Sequence, residues 1–435
     1  MSTTFFWFRR DLRLEDNHGL WAALSSGNPV IPVFIFDSNI LNTLRHKDDR
    51  RLTFIHHTLE ALDKKLRSFG SGLLTAYGDP EIVWKTWIQT YSISAVFLNN
   101  DYEPYARNRD DKIKTILGKA GIPMLSYKDQ VIFEKSEIVK ADGLPYTVFT
   151  PYKNKFLSVL KPEMLKSYAS DALRHNLKSL QAEAIPSLQS MGFRENLFIF
   201  PERKIPVEIV QSYDKTRDYP ALQGTSRLSL HLRFGTLSIR QLVEMGLKHN
   251  QTWLNELIWR EFYKMILWNF PQVEKQAFKP EYDKIQWLNR TEDFEAWCEG
   301  QTGYPIVDAG MRELKATGYM HNRVRMITAS FLTKHLLIDW RWGEAWFAEN
   351  LLDYDLSANN GGWQWAAGSG CDAAPYFRVF NPGLQTQKFD SKTEYIRTWV
   401  PEFNTSEYIQ PIVNHTFARN RAIDTYKKAI GKPSL

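Results

Sequence analysis

The apolar runs TFFWF at Thr4–Phe8 and VIPVFIF at Val30–Phe36 set the fold of the first part of this chain. Each is short, rich in aromatic and β-branched residues, and bounded by polar or turn residues, as a buried strand is. Leu73–Tyr77, Ala95–Leu98 and Met124–Tyr127 follow in the same style. The stretches between have helical spacing. Arg51–Phe69 puts Ile55, Leu59, Leu62 and Leu66 on one face, with Gly70 as its C′ residue. Glu81–Tyr91 and Arg107–Gly118 fill two later crossovers. This alternation predicts an α/β domain over residues 1–130, with a doubly wound parallel sheet of five strands. No GxGxxG or Walker lysine motif follows the first strand, so the usual dinucleotide fingerprint is missing.

Residues 131–195 have weak periodicity and many turn residues, and read as a long inter-domain connector. From 196 to 435 the pattern is that of an all-α domain. Pro305 opens a helix carrying Ile306, Val307, Gly310, Met311 and Leu314, which Gly318 closes, and a second helix spans His321–Leu337. Eleven of the fifteen tryptophans fall between Trp253 and Trp399, which favours a site that handles aromatic ligands. The chain has 435 residues and a net charge of +6, which suits a polyanionic partner. Cys298 and Cys371 supply neither a disulfide framework nor zinc spacing, and no metal is expected. The first residues meet charge too early for a secretory leader, and no apolar run reaches the ~20 residues of a membrane span, so an intracellular protein is expected.

The richest segment is DYDLSANNGGWQWAAGSGCDAAPYF, Asp353–Phe377. Acids and amides (Asp353, Asp355, Asn359, Asn360) stand beside a glycine pair and the indoles Trp363 and Trp365. Glycine pairs weaken any helix reading, and the order suits a flat aromatic cofactor. Gly361 and Gly362 would admit a ring close to the backbone, while the polar groups bond its edge.

Three other segments carry chemistry. In GTSRLS, Gly224–Ser229, the hydroxyls of Thr225, Ser226 and Ser229 and their backbone N–H groups could cradle a diphosphate or cap a helix. In NELIWREFY, Asn255–Tyr263, the residues Glu256, Trp259, Arg260 and Tyr263 share a helix face, suited to a planar hydrogen-bonding ligand or to a solvated ion pair over a core indole. In YMHNRVRM, Tyr319–Met326, Asn322 and Met326 face together, and Arg323 and Arg325 can serve phosphates, carboxylates or salt bridges.

Together with WFRRDLRLEDN at Trp7–Asn17, these segments resemble the photolyase/cryptochrome family, most closely its class I cyclobutane pyrimidine dimer photolyases. The resemblance runs to about Trp399 and implies a noncovalent, U-shaped FAD in the helical domain. It implies a phosphate-side segment of Tyr213, Thr225, Ser226, Arg227, Leu228 and Ser229. On the flavin side it implies Asn322, Arg325, Asp353, Tyr354 and Asp355, with Arg325 paired to Asp353 and Asn359 facing the flavin N5. Trp363, Trp340 and Trp287 match an electron-relay chain, whereas Trp297, Trp342 and Trp346 read as ordinary core. Arg217, Glu256, Trp259, Arg260, Tyr263, Asn322, Arg323, Met326 and Trp365 match the side that takes UV-damaged DNA.

The activity implied is light-driven repair: excited FADH⁻ lends an electron to a dimer flipped out of DNA, the cyclobutane ring splits and the electron returns. Glu256 would bond the pyrimidine edge, with Trp259 and Trp365 stacked on the lesion. A (6–4) enzyme typically carries histidines in the segment where this chain has Met320-His321-Asn322-Arg323; His321 is present, but Asn322 and Met326 follow the cyclobutane-dimer pattern. A signalling cryptochrome usually adds a C-terminal extension, where this chain has only the basic run Lys427–Lys432. Members of the family often bind a second, antenna chromophore in the N-terminal domain; here a deazaflavin, another flavin or an empty groove are all open, with Glu103 as a candidate contact. Tyr105 and Ala106 replace the Asn-Glu pair of folate-binding members. A monomer is expected, in the cytoplasm of a bacterium or the nucleus of a eukaryote.

Overall fold

The computed structural model describes residues 2–431; Met1 and Lys432–Leu435, which include the end of the basic run, lie outside the described residues. By their contacts the described residues form two bodies. One takes the chain up to Glu134 together with Val159–Ile205 and Arg227–Lys248; the other takes Lys135–Ser158, Pro206–Ser226 and the chain from His249 onward. Residues 131–195, expected as a connector, contribute to both.

The first body is built on β1 (Thr3–Phe8), β2 (Val30–Asp37), β3 (Leu74–Gly78), β4 (Ile93–Asn99) and β5 (Met124–Tyr127). All pairings are parallel, in the order β3-β2-β1-β4-β5. β1 and β2 are buried along their whole length, which explains why they read as continuous apolar runs and not as alternating ones. The crossover helices are α1 (His18–Leu24), α2 (Arg50–Arg67), α3 (Pro80–Thr90) and α4 (Pro104–Lys119). Asn17, Asp49 and Asp79 cap the first three by accepting from backbone N–H groups, and Pro80 and Pro104 start the last two. Gly70 takes a left-handed φ of 77°, but two residues beyond the C-cap Ser68 of α2, so the helix ends earlier than its spacing suggested.

The charged stretch Trp7–Asn17 turns inward. Asp129 is held by Arg13 at 2.6 Å and by Arg240 at 2.8 Å, and Arg240 also reaches Asp16 at 2.9 Å, all four side chains buried. Asp11 accepts from Asn99 at 2.6 Å, and Arg9 pairs with Asp110. Removing one partner from such a buried network strands a charge, at a cost of about 3–5 kcal/mol.

The second body is helical. Its elements include α5 (Val207–Thr216), α6 (Gln251–Asn269), α7 (Pro305–Thr317), α8 (Asn322–Ser330), α9 (Trp340–Asn350), α10 (Leu356–Ala367) and α11 (His415–Ala429). Pro305 opens α7, and Gly318 closes it with a φ of 68°. The helix expected over His321–Leu337 stops at Ser330 and continues as a π turn, Phe331–His335. The glycine pair does not break α10. Gly361 lets the ring of Tyr263 on α6 press on the backbone, at 2.2 Å from where a Cβ would stand. Gly343 does the same on α9 for the indole of Trp363, at 2.1 Å. Gly361 therefore serves a side chain of the protein, while Gly362 faces open space.

Candidate functional site

The site is assembled in the second body around α10 and the segment that leads into it. Asp353 is gripped by one terminal nitrogen of Arg325 at 3.1 and 3.0 Å, and Arg325 Nε donates to the Met320 carbonyl at 2.7 Å. The Asp353 carboxylate beside it holds the Arg325 guanidinium above its usual range, against desolvation. Tyr354 is half-buried. Asp355 precedes the helix but gives no cap bond, because its side chain accepts from Lys264 at 2.8 Å and from Ser357 at 2.5 Å. One turn on, Asn359 is buried and donates to Glu344 on α9, to its Oε1 at 2.8 Å and its main-chain oxygen at 3.1 Å. Burial raises the Glu344 carboxyl to about 7, with the Asn359 hydrogen bond opposing. Lys264 and Glu344 carry no signal in the sequence beyond their charge.

Trp363 follows Asn359 by four residues, on the same face of α10. It is buried, and its Nε1 has no hydrogen-bond partner. It shares a core with Trp340, the first residue of α9, and Trp287 packs against that core half-buried. Trp297, read from the sequence as ordinary core, meets the Trp363 ring at 6.0 Å and 71°.

A polar cluster gathers Tyr213, Arg217, Glu256 and Arg323. Arg217 donates to Glu256 at 2.6 Å and lies over the Tyr213 ring, and Arg323 donates to Asp218 at 2.6 Å. Burial raises the Glu256 carboxyl, and the Arg217 guanidinium opposes it. Thr225 Oγ1 meets the Tyr319 hydroxyl at 3.0 Å, and Ser226 is half-buried. Asp218 and Tyr319 were not anticipated. Arg227, with a left-handed φ of 51°, buried Leu228 and Ser229 continue this segment along the chain into the first body, where Ser229 begins a short helix.

His321 caps α8 by accepting from Arg323 N at 3.1 Å, and burial pulls its ring down to about 4. Its presence therefore has a structural reason. Asn322 is exposed, and both Asn322 and Arg323 approach the Met326 sulfur, at 3.9 and 3.8 Å.

Trp259 has one face already covered: Phe149 stacks on it at 3.7 Å and 7°. Phe262 and Tyr263 also meet the ring, at 5.6 Å and 82° and at 5.4 Å and 33°. Arg260 is half-buried on the same helix. Trp365 and Tyr263 line a small cavity of about 20 Å³ with Phe278, Asn360 and Cys371. None of Asp353, Asp355, Asn359 or Trp363 lines it, so this cavity is separate from the carboxylate-rich site.

In the first body, Glu103 is clamped by Arg10 and Arg233, each at 2.7 Å, so its carboxylate is already engaged. Tyr105 donates to Asp37 at 2.7 Å. No group of three or more His, Cys, Asp or Glu suited to a metal occurs among the described residues, and none of their helices is long and apolar enough to cross a membrane.

Two family models match the chain: "DNA photolyase" over residues 4–171 and "FAD binding domain of DNA photolyase" over residues 253–407. The deoxyribodipyrimidine photo-lyase of Escherichia coli strain K12 is 39% identical, covering 99% of this chain and 99% of its own length. Among solved structures, a bacterial class III photolyase from Agrobacterium tumefaciens superposes with a TM-score of 0.87 at 32% identity, over 99% of this chain and 98% of that one. An archaeal photolyase from Sulfolobus tokodaii, solved with two FAD molecules, does so with a TM-score of 0.81 at 36% identity, over 98% and 100%.

Proposed function

The chain belongs to the DNA photolyase family, and we propose that it is a light-dependent repair enzyme that splits cyclobutane pyrimidine dimers in UV-damaged DNA, a deoxyribodipyrimidine photo-lyase. The observation that carries this reading is the constellation on and before α10. Asp353 fixed by Arg325, Asp355 fixed by Lys264 and the oriented amide of Asn359 offer a rigid polar edge beside the open space at Gly362.

That donor and acceptor set suits the flavin of FAD, whose ring edge carries both kinds of group. When bound, FAD in its reduced form supplies, on illumination, the electron that opens the cyclobutane ring and takes it back afterwards. Asp353, Tyr354, Asp355, Asn359, Arg325 and Asn322 would hold the ring side, and Tyr213, Thr225 and Ser226 the phosphate side. Asp353, Asp355, Asn359 and Arg325 are oriented by protein partners of their own, so little reorganisation is asked of them. Trp363, Trp340 and Trp287 would relay electrons inward when the cofactor must be re-reduced, in short hops between indoles.

The lesion side is proposed from Glu256, Trp259, Met326, Asn322 and Trp365. A dimer extruded from the duplex would stack on Trp259, worth about 1–3 kcal/mol, with Phe149 supporting the ring from one face. Glu256, freed from Arg217, would accept from a pyrimidine N–H, and Arg217 and Arg323 would turn to phosphates. Arg260 and Tyr263 are proposed as supports on the same helix. We further propose that the chain acts as a monomer inside the cell, without a metal, and carries an antenna chromophore in its first body.

The reading is tested by purification and binding. The protein should retain FAD and bind DNA containing one thymine dimer more tightly than the same sequence undamaged. A protein that takes up no flavin, or binds both DNAs equally, contradicts it.

A further inference from the structure

We propose that Asp372 and Phe149 are positioning residues for the lesion: Asp372 holds the first N–H of the helix Phe149–Val159, which locks the Phe149 ring against Trp259 and joins Trp259 and Trp365 into one rigid stacking platform. This rests on the family reading above and deepens it, since it names what sets the planes that meet the dimer.

Trp259 lies on α6 and Trp365 two residues before the end of α10. Both are half-buried, so each keeps part of its ring within reach of a ligand, and neither is immobilised by full enclosure. Trp259 is fixed by its ring contacts. Phe149, 7% exposed, stacks flat on it, with centroids 3.7 Å apart and planes at 7°. Tyr263, one helical turn on, leans on it at 5.4 Å and 33° and presses on α10 where Gly361 lacks a side chain.

Phe149 is fixed in turn. As the first residue of its helix it has an N–H with no partner inside that helix, and it donates to Asp372 Oδ2 at 3.0 Å. Asp372 comes from the loop after α10 and lines the same small cavity as Trp365 and Tyr263. That loop is tied down at both ends. The N–H groups of Gly368, Ser369 and Gly370 all donate to the Gln364 carbonyl at 3.0 Å. Lys334 Nζ, on a side chain 1% exposed, donates to the carbonyls of Ala367 at 2.9 Å and Tyr376 at 3.4 Å. Movement of the loop would leave a buried ammonium without acceptors, which is costly. Asp372 is therefore held against α10, and the ring that Asp372 fixes is held relative to Trp365.

A side chain that must be ordered when the ligand arrives subtracts from affinity, and one already ordered does not. The gain falls on damaged DNA alone. Bases that stay stacked in the duplex never reach the two indoles, whereas an extruded dimer meets both.

The test measures binding of the flavin-loaded protein to an oligonucleotide with one thymine dimer and to the same sequence undamaged. Asp372→Ala and Phe149→Leu should each bind the dimer DNA about two- to tenfold more weakly, the effect of one side chain left to be ordered, with affinity for undamaged DNA and FAD content kept. Asp372→Asn, whose amide oxygen still accepts from the Phe149 N–H, should bind like the wild type. The double variant should bind no more weakly than the weaker single one, because both act through the same contact. An equal loss on both DNAs, or no loss, overturns the proposal. So does a loss in Asp372→Asn as large as in Asp372→Ala, since the charge and not the hydrogen bond would then act, and so does a double variant whose losses add. If Asp372→Ala fails to fold or drops its FAD, Phe149→Leu must still show the selective loss, and unchanged selectivity there overturns the proposal. A wild type with no preference for dimer DNA overturns the family reading, and this inference with it.

Discussion

The Lys264 ammonium meets the Asp355 carboxylate at 2.8 Å, with side-chain exposures of 2% and 8%. It ties α6 to the segment that starts α10, the same segment that sets Asp353 and Asn359. A carboxylate so deeply buried has no water to fall back on. Lys264→Met should therefore destabilise the protein by about 3–5 kcal/mol, read from urea unfolding, and weaken flavin retention. A loss within about 1 kcal/mol, the worth of an exposed pair, would remove this pair from the site's architecture.

Trp363 stands one helical turn from Asn359 and in ring contact with Trp297, while Trp340 and Trp287 belong to or border the same core. Trp363→Phe should slow photoreduction of oxidised flavin strongly, yet spare repair by chemically reduced enzyme. If photoreduction is unchanged, Trp363 is not the first donor. If Trp340→Phe leaves a residual rate that a further Trp297→Phe abolishes, electrons also enter through Trp297.

Glu256 already holds a cation, Arg217, at 2.6 Å. Exchange of that partner for a pyrimidine edge predicts that Glu256→Ala weakens lesion binding about 10- to 100-fold, the worth of a hydrogen bond to a charged group, with FAD content kept. Arg217→Ala should weaken binding to damaged and undamaged DNA alike and lower the salt dependence. Loss of FAD in Glu256→Ala would move Glu256 to the cofactor's shell.

His335 is buried in the π turn and donates to, or accepts from, His415 of α11 at 2.8 Å. Burial pulls its ring down to about 3 from 6.5, and the His415 and Arg421 charges add to this. Its folded value lies below its unfolded one, so between them the unfolded chain binds the extra proton and stability rises with pH. This contribution is whole above pH 6.5 and is lost progressively as pH falls towards about 3. His335→Phe should flatten that part of the stability–pH curve, measured by thermal unfolding. An unaltered curve would contradict the assignment.

The five strands were legible to within a residue or two, most plainly β1 and β2, where burial on both faces writes an unbroken apolar run, as in Val30–Asp37. The α10 helix was harder to see. Its glycine pair weakens a helix locally, and the reason Gly361 is tolerated, the ring of Tyr263 against its backbone, is a tertiary one. Asp353 and Arg325 could be paired from the resemblance, and they are paired. Phe149 under Trp259, Lys264 on Asp355 and Glu344 on Asn359 could not, because each joins segments far apart in the chain and a lone Phe, Lys or Glu carries no spacing signal. The charges of Trp7–Asn17 were recognisable as a motif, but their work as a buried ion-pair hub needed Asp129 and Arg240 in view.

The most direct measurement is repair itself. Chemically reduced protein is mixed with an oligonucleotide holding a single thymine dimer, and intact thymines are followed in the dark and under blue light. The account predicts recovery only in the light, with many dimers split per protein and no net consumption of reductant. Flavin-loaded protein that binds the damaged DNA and yet restores no thymines under light would contradict it.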